Sequence, residues 1–145
     1  MKKVYVCSPL HGDVEKNLVN AKKYCSIVSE DEEIPIAPHL YFSEFLDDDY
    51  EEERLLGIRM GLEMLKVCDE VKVFGNDISE GMNLEIRKAE ELRIPITFYD
   101  KEGRKIDHDT AELDTRLSQK LRSTIKRADR ALENNGWFFG IFKKA

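Results

Sequence analysis

Four short apolar runs recur along this chain, and between them lie stretches with helical spacing. That alternation limits the possible folds more than any other feature. Lys3–Cys7 reads as the first strand, Ile34–Ala37 as a short second, Glu70–Gly75 as the third and Ile94–Tyr99 as the fourth. Pro95 suits the start of a strand, where its missing N–H leaves no gap in the ladder. From Asp13 to Ser29, the residues Val14, Leu18, Ala21, Cys25 and Val28 recur at intervals near three and four, the mark of one buried helix face. A second helix is expected from about Glu51 to Val67, with Leu55, Ile58, Leu62 and Leu65 facing inward, and a third from about Glu80 to Leu92. Strands that alternate with helices predict a parallel sheet covered on both faces, joined by right-handed crossovers. The expected class is therefore α/β, a flavodoxin- or Rossmann-like sheet.

Beyond residue 100 the pattern changes. Lys101-Glu102-Gly103-Arg104 reads as a turn, and Asp109-Thr110-Ala111-Glu112 as a capping box opening a last helix. Leu113, Leu117, Leu121, Ile125, Ala128 and Leu132 would form its apolar stripe. Asn134-Asn135-Gly136 is a stop signal, and Trp137–Phe142 an apolar tail. We divide the chain into an α/β domain, 1–100, and a helical extension, 101–145. The extension packs on that domain or on a partner subunit.

A length of 145 residues with 41% hydrophobic residues supports one sizeable core. No apolar run approaches the ~18–20 residues that span a bilayer, and the strand after Met1-Lys2-Lys3 is too brief for a signal-peptide core. Three cysteines, Cys7, Cys25 and Cys68, form neither a metal-ligand spacing nor an even disulfide set. A reducing cytoplasm is the expected compartment. Net charge is −6, yet residues 101–145 hold eleven Lys/Arg against seven Asp/Glu, so the body is the acidic part. An acidic body excludes bulk nucleic-acid binding, which needs a basic footprint. The basic extension fits a neighbouring copy of the chain, and a homodimer or larger homo-oligomer is expected.

In such a sheet, ligands bind outside the carboxyl ends of the strands. Two loops belong there. The first, Ser8-Pro9-Leu10-His11-Gly12, follows strand one and precedes a helix N-terminus, where backbone N–H groups favour an anion. Gly12 permits a left-handed turn or close ligand approach. The second, Ser79-Glu80-Gly81-Met82, delivers Glu85 near the start of a helix. Ser79 serves as a helix cap, a phosphate ligand or both. A positioned carboxylate such as Glu85 can attack an anomeric carbon, although a Glu near a helix start is also favoured by the helix dipole alone. His39, after Pro38, is expected at the end of strand two and at the same edge. Tyr5, inside strand one, reaches Glu85 if their elements adjoin, and otherwise serves as an aromatic core residue. The run Asp47-Asp48-Asp49 with Glu51-Glu52-Glu53 lacks calcium-loop spacing and reads as a solvated loop and helix start. We expect no metal and no cofactor.

These residues carry a resemblance. Val4-Tyr5-Val6-Cys7-Ser8-Pro9-Leu10-His11-Gly12, His39, Cys68-Asp69-Glu70-Val71-Lys72-Val73, and Ser79 with Glu85 six residues on resemble the nucleoside 2-deoxyribosyltransferase-like superfamily over about residues 3–99. Within it they are most similar to deoxynucleoside 5′-monophosphate N-glycosidases. They are closer still to a group of small bacterial and phage proteins sharing Cys-Ser-Pro-Leu and Ser-Glu-Gly-Met. The resemblance implies that Glu85 is a nucleophile, oriented by Tyr5. It implies that Ser8, Pro9, His11, Gly12, His39, Ser79, Gly81 and Met82 bind the substrate, a nucleoside or nucleoside 5′-monophosphate. Transferases of this type usually carry Asp where Ser79 stands, so Ser79 points toward a 5′-phosphorylated ligand. Two departures weaken the catalytic implication: Gly61 stands where an Asp is common, eight residues before Asp69, and Pro9 offers no N–H to a phosphate. No residue is assigned to the leaving base. A non-catalytic nucleotide or nucleotide-signal binding protein of the same fold is the alternative.

Overall fold

The structure, a computed structural model, describes residues 1–130. The elements run β1 (Lys3–Cys7), α1 (Val14–Glu30), β2 (Ile34–Ile36), α2 (Pro38–Phe42), α3 (Glu51–Leu65), β3 (Glu70–Phe74), α4 (Glu80–Glu91), β4 (Ile96–Tyr99) and α5 (His108–Ala111). A further helix, α6, covers 119–130. The four strands form one parallel sheet in the order β2-β1-β3-β4. The α/β expectation holds. Connections leave β1 toward β2 on one side and enter β3 on the other, so the order reverses beside β1. A crevice at the carboxyl edge follows from that reversal.

Strand periodicity sorts the core into two layers. Val4, Val6 and Phe74 pack with Tyr24 and Val28 of α1 on one face. Phe74 lies stacked between Tyr24 and Tyr99, with ring centroids 4.5 and 4.9 Å away. Tyr5, Cys7, Val71, Val73 and Phe98 point to the other face, against Leu65 of α3 and Met82, Ile86 and Ala89 of α4. Leu117, Leu121, Ile125 and Ala128 join that second layer, so the described part of the extension packs on this chain's own core. No helix among the described residues is long and apolar enough to cross a membrane.

Four expectations need correction. His39 lies within a short helix, α2, instead of at the end of β2, because Pro38 presets the first helical turn. Leu55 is 44% exposed; Gly61 and Leu65 are the buried residues of α3. The capping residue of the 108–111 helix is Asp107, whose side chain accepts from the Asp109 amide; Asp109 is not the cap. Finally, the expected single last helix is two. Asp114 draws the Arg116 amide and guanidinium onto its carboxylate, interrupting the helix and leaving Leu113 81% exposed. Ser118 then caps a new start by accepting from the Leu121 amide. Leu132, the Asn134–Gly136 stop and the Trp137–Phe142 tail lie outside the described residues.

Candidate active site

At the crevice is a cavity of about 700 Å³, within the range of small-molecule sites. Its floor is built by β1 and α4. Tyr5 alternates to the α4 face of β1, and its hydroxyl donates to Oε1 of Glu85 at 2.9 Å. Ser79 begins α4, its hydroxyl accepting from the Met82 amide at 3.2 Å. That cap fixes the first turn, from which Gly81, Met82 and Glu85 reach the cavity lining. Below them the Cys7 thiol donates to the Met82 carbonyl at 3.8 Å, tying the helix start to the strand.

Glu85 is set apart from the other carboxylates by what surrounds it. Burial pushes its carboxyl up to about 7, and the Cys7 and Tyr5 side chains only partly offset that. Burial also holds the Tyr5 phenol and the Cys7 thiol well above their ordinary ranges, so at neutral pH both remain protonated donors. A carboxyl raised toward neutrality can exchange its proton near pH 7, as a nucleophile or general base must.

The opposite wall comes from α2 and α3. Ser8 Oγ and His39 Nε2 lie 3.0 Å apart. Burial lowers His39 to about 4, so its imidazole is neutral. Phe42, Leu46 and Ile58 add apolar surface, and Arg54 from the first turn of α3 also lines the cavity. Gly61 sits where α3 passes closest to β1. A Cβ on Gly61 would lie 2.9 Å from the Tyr5 hydroxyl oxygen. That is too close for any side chain unless something shifts, so the space an Asp would use is filled by Tyr5.

The structure therefore gathers Tyr5, Ser8, His11, His39, Ser79, Gly81, Met82 and Glu85 around one cavity. Pro9 and Gly12 are not among the described residues that line it. Gly12 makes the turn itself, with φ +101° and open space where a Cβ would stand. Three contributors escaped the sequence reading. Asp48, placed in a solvated run, has a side chain only 12% exposed and meets His11 Nδ1 at 2.6 Å. Arg54 and the close approach at Gly61 had no periodic or motif signal to announce them. Among the described residues, the one convergent group of metal-ligating type is Asp107, His108 and Asp109, exposed and away from the cavity lining.

Comparison with known proteins agrees with this architecture. A 2-deoxyribosyltransferase from Bacillus psychrosaccharolyticus superposes with TM-score 0.55 at 17% identity, over 76% of this chain and 80% of that one. A 2-deoxyribosyltransferase from Leishmania mexicana gives TM-score 0.49 at 14% identity, over 69% and 65%. The fold likeness rests on the first. No curated protein matches the sequence. Residues 2–99, about two thirds of the chain, match the family described as a domain of unknown function, DUF7768. The chain thus belongs to the DUF7768 family and carries a 2-deoxyribosyltransferase-like α/β fold.

Proposed function

We propose that the cavity binds a (deoxy)nucleoside or nucleoside 5′-monophosphate and that Glu85 attacks its anomeric carbon, breaking the N-glycosidic bond. The observation that carries this reading is the Tyr5–Glu85 pair, a carboxyl near 7 held at 2.9 Å by a tyrosine on the floor of a cavity of small-molecule size. In the first step a Glu85 oxygen bonds to C1′ while the C1′–N bond breaks, its electron pair leaving with the base. Water then resolves the glycosyl-enzyme in a hydrolase, or a second base does so in a transferase. The sugar's 5′ end would lie toward Ser79 and the α4 N-terminus, whose amides suit a phosphate. His39 and Ser8 would contact sugar hydroxyls. The superposing transferase from Bacillus psychrosaccharolyticus supports glycosyl transfer at the level of fold.

A second reading, binding without turnover, draws on Gly61, which sets no carboxylate against the Tyr5 hydroxyl that holds Glu85. One experiment separates the two. Purified protein is incubated with nucleosides, deoxynucleosides and their 5′-monophosphates, with and without a free acceptor base, and the products are scored by chromatography. Base release or exchange that disappears in Glu85→Ala is expected. Retained binding without turnover of any compound would favour the binding module.

A further inference from the structure

The nucleophile accounts for only one half of a glycosidic cleavage. A purine or pyrimidine anion is a poor leaving group, so the base must be protonated as its bond to C1′ breaks. Four side chains of the described cavity lining are ruled out as that acid, and beside His11 its remaining acids are the carboxylates Glu44, Asp47, Asp48, Asp49, Glu53 and Glu80. Glu85 is the nucleophile, Tyr5 keeps its proton far above neutral pH, and Arg54 cannot give one up. His39 is held neutral and engaged with Ser8.

We propose that His11, oriented by Asp48, is the general acid for the leaving base; this rests on the N-glycosidic reading above. Three observations support it. The Asp48 carboxylate meets His11 Nδ1 at 2.6 Å, a contact that holds a proton on Nδ1, orients the ring and leaves Nε2 as the nitrogen that exchanges a proton with the substrate. Nε2 has no hydrogen-bond partner among the described residues, and the imidazole is 63% exposed while the carboxylate behind it is 12% exposed. Both line the same cavity as Glu85.

Each member of the pair is also anchored on its own side. Asn17 of α1 donates to the carbonyls of Leu10 and His11 at 3.0 and 3.2 Å, pinning the loop after β1. On the facing loop, Asp47 accepts from the Asp49 amide at 2.9 Å and from the Tyr50 amide at 3.2 Å through its carbonyl. The pair therefore joins two braced loops across the cavity mouth.

The proton balance closes in both directions. In glycosylation, His11 Nε2–H passes its proton to a ring nitrogen of the departing base, leaving a neutral imidazole. In hydrolysis, water bonds to C1′ as the Glu85–C1′ bond breaks, and the water's proton goes to Nε2, restoring the imidazolium.

The test uses leaving groups that differ only in their need for that proton. A 7-methylated purine nucleoside carries a cationic base and departs neutral, whereas the unmethylated one must be protonated. In the full-length protein, His11→Gln and Asp48→Asn should each slow the unmethylated substrate by about 10²- to 10⁴-fold, and the methylated one by less than about tenfold. Circular dichroism confirms folding; if one variant fails to fold, the other carries the same comparison. Equal losses on both substrates would overturn the assignment, reducing the pair to a loop latch. Wild-type protein that cleaves only the methylated substrate would overturn it too, while leaving the Glu85 reading intact. Wild-type protein that cleaves neither would overturn both.

Discussion

Glu70 and Glu85 are carboxylates drawn out of water on opposite faces of one sheet, and the contrast that matters most between them is the presence of a cation. Burial works against the charge of both. At Glu70 it is outweighed by Thr97 at 2.7 Å and the Lys2 ammonium at 2.9 Å, with Lys72 nearby, and the carboxyl ends below its ordinary range. Lys72 in turn meets Glu33 at 2.7 Å. Glu85 receives a tyrosine hydroxyl but no ion pair among the described residues, and ends near 7. A buried carboxylate with a cation is structural. One without a cation costs the fold stability and gains a proton affinity useful for chemistry.

The largest effect that tests this contrast is on turnover. Glu85→Gln should lower base release or exchange by at least ~10³-fold, as removal of a nucleophile does. In the wild type, activity should rise with pH through an apparent pKa near 7, since only ionised Glu85 attacks. A rate independent of pH between 5 and 8 would break the link between burial and chemistry.

Stability comes next, and its sign distinguishes the two acids. Glu85 has a folded pKa above its unfolded value of 4.5. Between those values the folded chain keeps a proton that the unfolded chain has released, so wild-type stability falls as pH rises from about 4.5 to about 7. Glu85→Gln should therefore match the wild type near pH 4, below the unfolded value, and exceed it by roughly 1–3 kcal/mol at pH 8. Thermal melts at the two pH values measure this, and a variant less stable at pH 8 would remove the asymmetry. Glu70 has a folded pKa below 4.5 and should behave in the opposite way. Glu70→Gln should cost about 1 kcal/mol at pH 7, a gap that closes as pH falls below about 4.5.

The smallest effect sharpens the geometry at Glu85. Tyr5→Phe removes a hydrogen bond that favours the ionised form, so the pH limb should move upward. Gly61→Ala should do the same, because its methyl meets the Tyr5 hydroxyl. In a Tyr5→Phe background that oxygen is gone, and the cost of Gly61→Ala should shrink by about 1 kcal/mol, a coupling typical of residues in contact. Additive costs would show that Gly61 and Tyr5 do not interact.

Much of this was legible in the sequence because it is periodic. Lys3–Cys7 is the same in both readings, and α1, α3 and α4 differ by a residue or two at their ends. The opposed loops could be placed at one edge because a parallel sheet puts all its strand ends there. What escaped was local or non-periodic. The Asp114–Arg116 turn broke a stripe that remained apolar across it, so the last helix looked continuous. Asp48 was hidden in an acidic run in which any one residue looks solvated, and only the fold brings it to His11. The clearance at Gly61 depends on the approach of α3 to β1, a distance no single-chain pattern encodes.

The central claim is a covalent bond from Glu85 to a sugar, and trapping it is the most direct measurement. A nucleoside with fluorine at C2′ slows formation and breakdown of such an intermediate by withdrawing electrons from C1′. After incubation, proteolysis and mass spectrometry should find one fluorosugar adduct on the peptide containing Glu85, and none in Glu85→Gln. Base release with the adduct on another residue, or with undiminished turnover in Glu85→Gln, would contradict it.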